Sequence, residues 1–415
     1  MAYQDWYRQS TSEQPNQHGS GRPWAKKSVL VTAAAAVGIA ALGTGIAALV
    51  SGPGKGTAQP QAAGSGHQQA PAKKPVVHPA PALHVESVTP EPGARGVNGT
   101  KPITVRFSAA LAPDSPLPKL SPSVSGTWKR DGDTATFTPA SGFFGGTTVT
   151  VRIRGGKSGV LSSAGEKRGA GGRLASSVTH SFTTAPFSTL RLEQLLAQLG
   201  YLPLTWSPAG SPVQPSDAKA QLAAAYNPPS GNFTWQGGYP SALHSLWQQG
   251  SANQVDMGAI WAFESQNNMT MDGDAGPGVW EALLHDVAAN QGNANGYTYA
   301  YASKTTPETL TIWHDGHQVL QSPGNTGIAQ SPTADGTYPV YERLRYQVMK
   351  GRNPNGSKYS DPVYWVSYFN GGDAVHYYAR GSYGFPQSLG CVELPYAAAK
   401  TSYRYLTYGS LVTVH

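Results

Sequence analysis

The feature that most constrains this chain is an uncharged run from Val29 to Val50, rich in Ala, Val, Leu and Gly and preceded by Arg22, Lys26 and Lys27. It matches the roughly 20 residues a helix needs to cross a bilayer core. Positive charge on its N-terminal flank places residues 1–28 as a cytoplasmic tail and the body after residue 50 outside. The long polar leader and the length of the run favour a retained single-pass anchor over a cleaved signal peptide, whose apolar core is shorter. Residues 51–82 are Gly, Pro, Ala, Gln and Ser without an apolar period, and read as a spacer that holds the folded part away from the membrane.

An exported body limits the chemistry of cysteine. The chain has 1 cysteine, Cys391, so no intrachain disulfide is available. A lone thiol outside the cell is either inert and buried or kept for its reactivity. Only 13% of residues are charged, beside 49 glycines and 33 prolines, which suits a loop-rich β protein better than a helical one. The formal charge of +7 comes from dispersed basic residues. No basic block is interleaved with aromatics, so nucleic acid is excluded as a partner. The charge reads as mild attraction to an anionic wall or membrane surface.

Three segments follow the spacer. Over 83–186, short alternating runs at Ile103–Phe107, Thr147–Ile153 and Val178–Thr183, with Asp131-Gly132 as a hairpin turn, predict a β-sandwich. Over 187–290 the period becomes helical. Leu192, Leu195, Leu196 and Leu199 form a stripe that Gly200 ends, and Met257–Ser265 and Val279–Leu284 predict two more helices. The Asp272/Asp274 pair lacks the further oxygen ligands of a calcium loop, and no metal site is assigned. Over 297–415 strands return at Thr309–Trp313, Val319–Gln321, Tyr338–Tyr341, Trp365–Phe369 and Leu411–Val414. His314-Asp315-Gly316-His317 forms a turn between the first two.

The stretch that carries chemistry is Ala374-Val375-His376-Tyr377-Tyr378, followed by Gln387-Ser388-Leu389-Gly390-Cys391-Val392-Glu393-Leu394. A thiol attacks only as thiolate and, at a pKa of about 8.5, needs an imidazole to take its proton. A histidine near the end of one strand reaches a cysteine at the edge of its neighbour. Gly390 gives the backbone the freedom to turn and to aim amide groups at a developing oxyanion. These residues alone leave two readings open, a nucleophile with its base or a buried cysteine near a strand histidine.

Residues 309–415 resemble the L,D-transpeptidase catalytic domain of the YkuD type. The resemblance rests on Leu310–Trp313 with Asp315-Gly316, on Asn325-Thr326-Gly327, on Ser331–Tyr338, and on His376 followed by Ser388 and Gly390-Cys391. The segments "LEQLLAQLGYL" and "GAIWAFESQNNMTMDGDAGPGVWEALL" resemble a small helical peptidoglycan-binding domain interrupted by residues 202–252. The chain is thus expected to be multidomain and mainly β, with an Ig-like sandwich, a helical middle domain and a β-rich catalytic domain. The resemblance implies acyl transfer on peptidoglycan without a cofactor, donor and acceptor stem peptides as partners, and carbapenems as inhibitors. It implies Cys391 as nucleophile, His376 as base, the Tyr377 carbonyl as orienter, and Gly390 and Ser388 as oxyanion or support residues. Tyr364, Trp365, Tyr368 and Phe369 are the aromatics expected at the cleft. Leu389 and Glu393 depart from the family pattern, in which a histidine and an Arg or Asn are usual. Alternatives are a carboxypeptidase using the same site and a non-catalytic wall scaffold. A wall hydrolase with its cysteine first is disfavoured, because the sole histidine after Cys391 is His415.

Overall fold

The structure is a computed structural model that describes residues 82–163 and 172–415. The expected tail at 1–28, the anchor at 29–50 and residues 51–81 of the spacer lie outside the described residues. No helix among the described residues is long and apolar enough to cross a membrane.

Alternating apolar residues make the first body. Strands β1 (Val85–Thr89), β2 (Ile103–Phe107), β3 (Lys119–Ser121), β4 (Gly126–Asp131), β5 (Thr134–Pro139), β6 (Thr148–Ile153) and β7 (Val178–Thr183) form sheets ordered β1-β2-β5-β4 and β3-β6-β7. Inward residues Ile103, Val105, Phe107, Phe137, Val149, Val151 and Phe182 close one core between them.

The middle segment is built from helices and a short two-stranded sheet. α1 (Thr189–Gln198) is followed by β8 (Leu204–Pro208), α2 (Ala218–Tyr226), β9 (Gly231–Trp235), α3 (Ser241–His244), α4 (Gln254–Gln266) and α5 (Pro277–Ala289). Residues 202–252, read from sequence as an interruption, fold as the two-stranded β8–β9 sheet with α2 and α3 beside it. Leu195 and Leu196 of α1 are fully buried, each worth about 2 kcal/mol of transfer free energy. They pack with Ile260 and Phe263 of α4 and Leu283 of α5, and the same cluster takes in Tyr297, Tyr299 and Leu411 from the C-terminal segment.

That segment holds two sheets. β10 (Thr298–Ser303), β11 (Thr309–His314), β12 (His317–Pro323) and β13 (Gly336–Pro339) join the last strand, β18 (Leu411–Val414), in the order β12-β11-β10-β18-β13. β14 (Glu342–Arg352), β15 (Lys358–Asn370), β16 (Asp373–Tyr377) and β17 (Val392–Leu394) form the second sheet in chain order, before α6 (Tyr396–Tyr405) and β18 (Leu411–Val414). Asp315 (φ 45°) and Gly316 (φ 77°) make the two-residue turn between β11 and β12. The core between the sheets contains Ile312 and Val412 on one side, Phe369, Val375, Val392 and Leu394 on the other, and Ala398 and Ala399 of α6.

Candidate active site

The site forms where two parallel strands end side by side. β16 pairs β17 with Val375 opposite Val392, His376 opposite Glu393 and Tyr377 opposite Leu394. Cys391, one residue before β17, therefore stands across from Ala374. Alternation then divides the residues between two faces. Val375, Val392 and Leu394 enter the core between the sheets, while Ala374 and Cys391 belong to a second cluster with Val363, Val366 and Tyr368. His376 and Glu393 share this second face with Cys391.

His376 is 2% exposed, and its Nδ1 lies 3.1 Å from the carbonyl oxygen of Tyr377. A carbonyl only accepts, so this bond places the imidazole proton on Nδ1 and leaves Nε2 free to take one. Burial, the largest cause, pushes the imidazole below the usual histidine range, and the Arg380 guanidinium adds to it; the Tyr377 bond and Glu393 act the other way. Burial pushes the Cys391 thiol up to about 12, with Asp373 and Glu393 adding to the rise. Both groups are neutral at rest. The thiol sulfur lies 3.7 Å from the carbonyl oxygen of Gly372, in the turn between β15 and β16.

The turn into Cys391 is held from several directions. Gly390 has φ +120°, a conformation open to glycine, and a Cβ there would overlap the Asp373 carboxylate. Ser388, 1% exposed, donates from Oγ to the carbonyl of Cys391 at 2.6 Å and accepts from the amide of Gly390 at 3.2 Å. Ser331 Oγ donates to the carbonyl of Leu389 at 3.0 Å, and Thr326 accepts at its carbonyl from the amides of Gln387 and Ser388. The segment Asn325–Thr333 thus acts as a cradle. It is fixed in turn by the buried Glu308 carboxylate, which accepts from Thr326 N at 2.6 Å and Thr326 Oγ1 at 2.7 Å.

The four aromatics expected at the cleft separate. Tyr368 packs beside Cys391 and donates to Gln347 Oε1 at 2.6 Å. Phe369, 2% exposed, lies in the core between the sheets. Trp365 packs against Tyr396 and Tyr403 of α6, and Tyr364 is 39% exposed between Tyr346 and Tyr377. The cause is local: Trp365 has φ +60°, and the β15–β16 register slips between Tyr364 and Ser367 and again between Tyr368 and Asn370. A count by twos from Tyr364 therefore does not predict which ring meets the thiol. Sequence reasoning also missed Asp373, Arg380 and Tyr359. Tyr359 lies on β15, the strand beside β16, and Arg380 pairs with Glu393.

Residues 297–414 match the family described as the L,D-transpeptidase catalytic domain, of the YkuD type, and residues 80–184 match the bacterial Ig-like domain. The C-terminal domain belongs to the L,D-transpeptidase family. Similar solved structures include an L,D-transpeptidase from Mycobacterium smegmatis, 14% identical, covering 80% of this chain and 99% of that one with a TM-score of 0.27. An L,D-transpeptidase from Mycobacterium tuberculosis H37Rv is 16% identical, over 80% of this chain and 97% of its own, with a TM-score of 0.25. The catalytic domain of an E. faecium L,D-transpeptidase acylated by ertapenem is 23% identical, over 29% of this chain and 97% of its own, at a TM-score of 0.26. No curated protein matches the chain. Within the L,D-transpeptidase domain, the face shared by Cys391 and His376 is the candidate active site.

Proposed function

We propose that this protein is an extracytoplasmic cysteine L,D-transpeptidase that forms 3→3 crosslinks between peptidoglycan stems, tethered to the membrane by residues 29–50. The observation that carries this reading is the placement of Cys391 and His376 on one face of adjacent parallel strands, with Nδ1 committed to the Tyr377 carbonyl. With thiol and imidazole both neutral, the proton moves during attack rather than before it. Cys391 Sγ bonds to the carbonyl carbon of the donor stem's terminal amide while Nε2 of His376 takes the thiol proton. The carbonyl electron pair moves onto oxygen, where the amide of Cys391 holds it. The amide of Gly390 is engaged by Ser388 Oγ and fixes the turn. Collapse breaks the amide bond, the imidazolium gives its proton to the departing D-alanine amine, and a thioester remains. The acceptor stem's amine attacks that thioester, Nε2 takes the amine's proton, and Sγ leaves and recovers it.

Each half-reaction begins from a neutral imidazole, so the rate falls as pH drops through the lowered histidine pKa. The helical segment 187–290 is assigned to holding the wall polymer near the site, on its resemblance to a peptidoglycan-binding domain. Incubating the folded chain with a tetrapeptide donor and an acceptor stem, and weighing the products, tests the reading. A crosslinked dimer formed with loss of D-alanine, and absent with Cys391→Ala, supports it. Tripeptide without dimer makes the protein a carboxypeptidase, and no product from the folded wild-type chain overturns the enzyme reading.

A further inference from the structure

Glu393 is a buried carboxylate, 5% exposed, that faces His376 across the β16–β17 ladder and shares the face of Cys391. An uncompensated carboxylate there is unfavourable twice over. It is itself desolvated, and it opposes negative charge on the neighbouring thiol. The partner is Arg380, in the loop between β16 and β17. Its Nε lies 2.7 Å from Glu393 Oε2 and its Nη2 2.8 Å from Oε1, a two-point fork. Nη2 also donates to the carbonyl of Gln387 at 3.1 Å, and the guanidinium lies 4.7 Å from the centre of the Tyr378 ring. One side chain thus joins the start of the loop at Tyr378, its end at Gln387, and the strand that follows the nucleophile. The transfer scheme above uses neither member of the pair.

We propose that Arg380 is a positioning residue for the nucleophile loop: its fork on Glu393 fixes residues 378–391 against β17 and cancels the carboxylate that faces the imidazole and the thiol. The proposal rests on the transpeptidase reading only for what the loop does. The charged and titratable groups around the pair come from every element packed there. They are Glu393 on β17, Asp373 on β16, Tyr378, Arg380 and Tyr383 in the loop, and Tyr359, Asp361 and Tyr368 on β15. Glu393 and Asp373 raise the thiol, Glu393 raises the imidazole, and Arg380 lowers it. Within this set Arg380 is the cation placed against the acids. Removing it alone leaves a buried charge without a partner, which does more damage than removing both members.

The test uses the full chain with Arg380→Gln, Glu393→Gln and the double variant, each checked for folding by its melting transition. The readout is the pH profile of Cys391 alkylation by iodoacetamide, followed by intact mass, beside the rate of acylation by ertapenem. Arg380→Gln is expected to slow alkylation about tenfold at each pH from 7 to 9, the effect of a thiolate made about ten times scarcer. The double variant returns to within about threefold of wild type, because it removes the stranded carboxylate. An unchanged profile in Arg380→Gln, or a double variant as slow as the single, overturns the proposal. Should Arg380→Gln fail to fold, Glu393→Gln alone must speed alkylation over pH 7 to 9, and an unchanged rate overturns the proposal. Alkylation does not depend on the transfer reaction, so a wild-type chain that alkylates but never crosslinks refutes the transpeptidase reading while these profiles still decide the role of Arg380.

Discussion

Gly409, in the turn before β18, has φ +79°, and a Cβ there would overlap the carbonyl oxygen of Gly258 and the amide nitrogen of Ala262, both on α4. The reciprocal Cβ on Gly258 would stand 2.7 Å from the carbonyl oxygen of Gly409. The helical segment and the catalytic domain therefore meet backbone to backbone, and neither obstructing atom belongs to a side chain that can swing away. Gly409→Ala incurs about 1–2 kcal/mol for a left-handed conformation and about 1–3 kcal/mol for overpacking. At about 2 °C per kcal/mol for a unit of this size, the sum lowers the melting temperature by roughly 4–10 °C. Gly356→Ala is the control: φ is +84°, nothing lies within 4 Å of its Cβ, and only the backbone part applies. Differential scanning calorimetry of both variants reads the difference directly. Equal losses, or a larger loss for Gly356→Ala, refute the claim that this contact locks the helical segment onto the catalytic domain.

Glu264 of α4 is 1% exposed and accepts from the amide of Gly273 at 3.0 Å, and burial raises its carboxyl to about 8. The folded state holds this proton longer than the unfolded chain, so the contribution is full below the unfolded pKa, near 4.5, and is lost as pH rises toward 8. Denaturant titrations should show wild-type stability falling by roughly 3–4 kcal/mol from pH 5 to pH 8, with Glu264→Gln flattening that slope; parallel slopes contradict the assignment. Gly390→Ala forces a side chain into φ +120° and against the Asp373 carboxylate, and should cut ertapenem acylation about a hundredfold with the fold retained. Acylation within a few-fold of wild type, measured by stopped-flow, removes Gly390 from the positioning of the thiol.

The sequence was most legible where one physical rule acts without competition. Ile103–Phe107, Val178–Thr183 and Leu411–Val414 alternate cleanly and are strands with those bounds, and the leucine stripe ending at Gly200 is α1. β14 escaped notice because Glu342–Arg352 shows no clean period: Leu344 and Met349 face the cluster around Cys391 while Tyr346 and Val348 face solvent. The run read as Tyr338–Tyr341 is instead β13 at Gly336–Pro339, set by pairing with β18. α6 was also missed, since its buried face is made of the small residues Ala398, Ala399 and Ser402 rather than of large apolar ones. At the site, the types and spacing of Cys391 and His376 raise a nucleophile with its base as one of two readings, because a thiol needs a base; the resemblance is what favours it. Arg380 could not, since its value lies in a pairing with Glu393 that only the loop's return creates.

The central claim is that Cys391 is a nucleophile served by His376. Intact-mass spectrometry of residues 83–415 incubated with ertapenem, beside Cys391→Ala and His376→Ala, tests it most directly. One covalent adduct is expected on the wild-type chain, none on Cys391→Ala, and acylation slowed by at least about a hundredfold in His376→Ala. A folded wild-type chain that forms no adduct, or an adduct that survives Cys391→Ala, contradicts it.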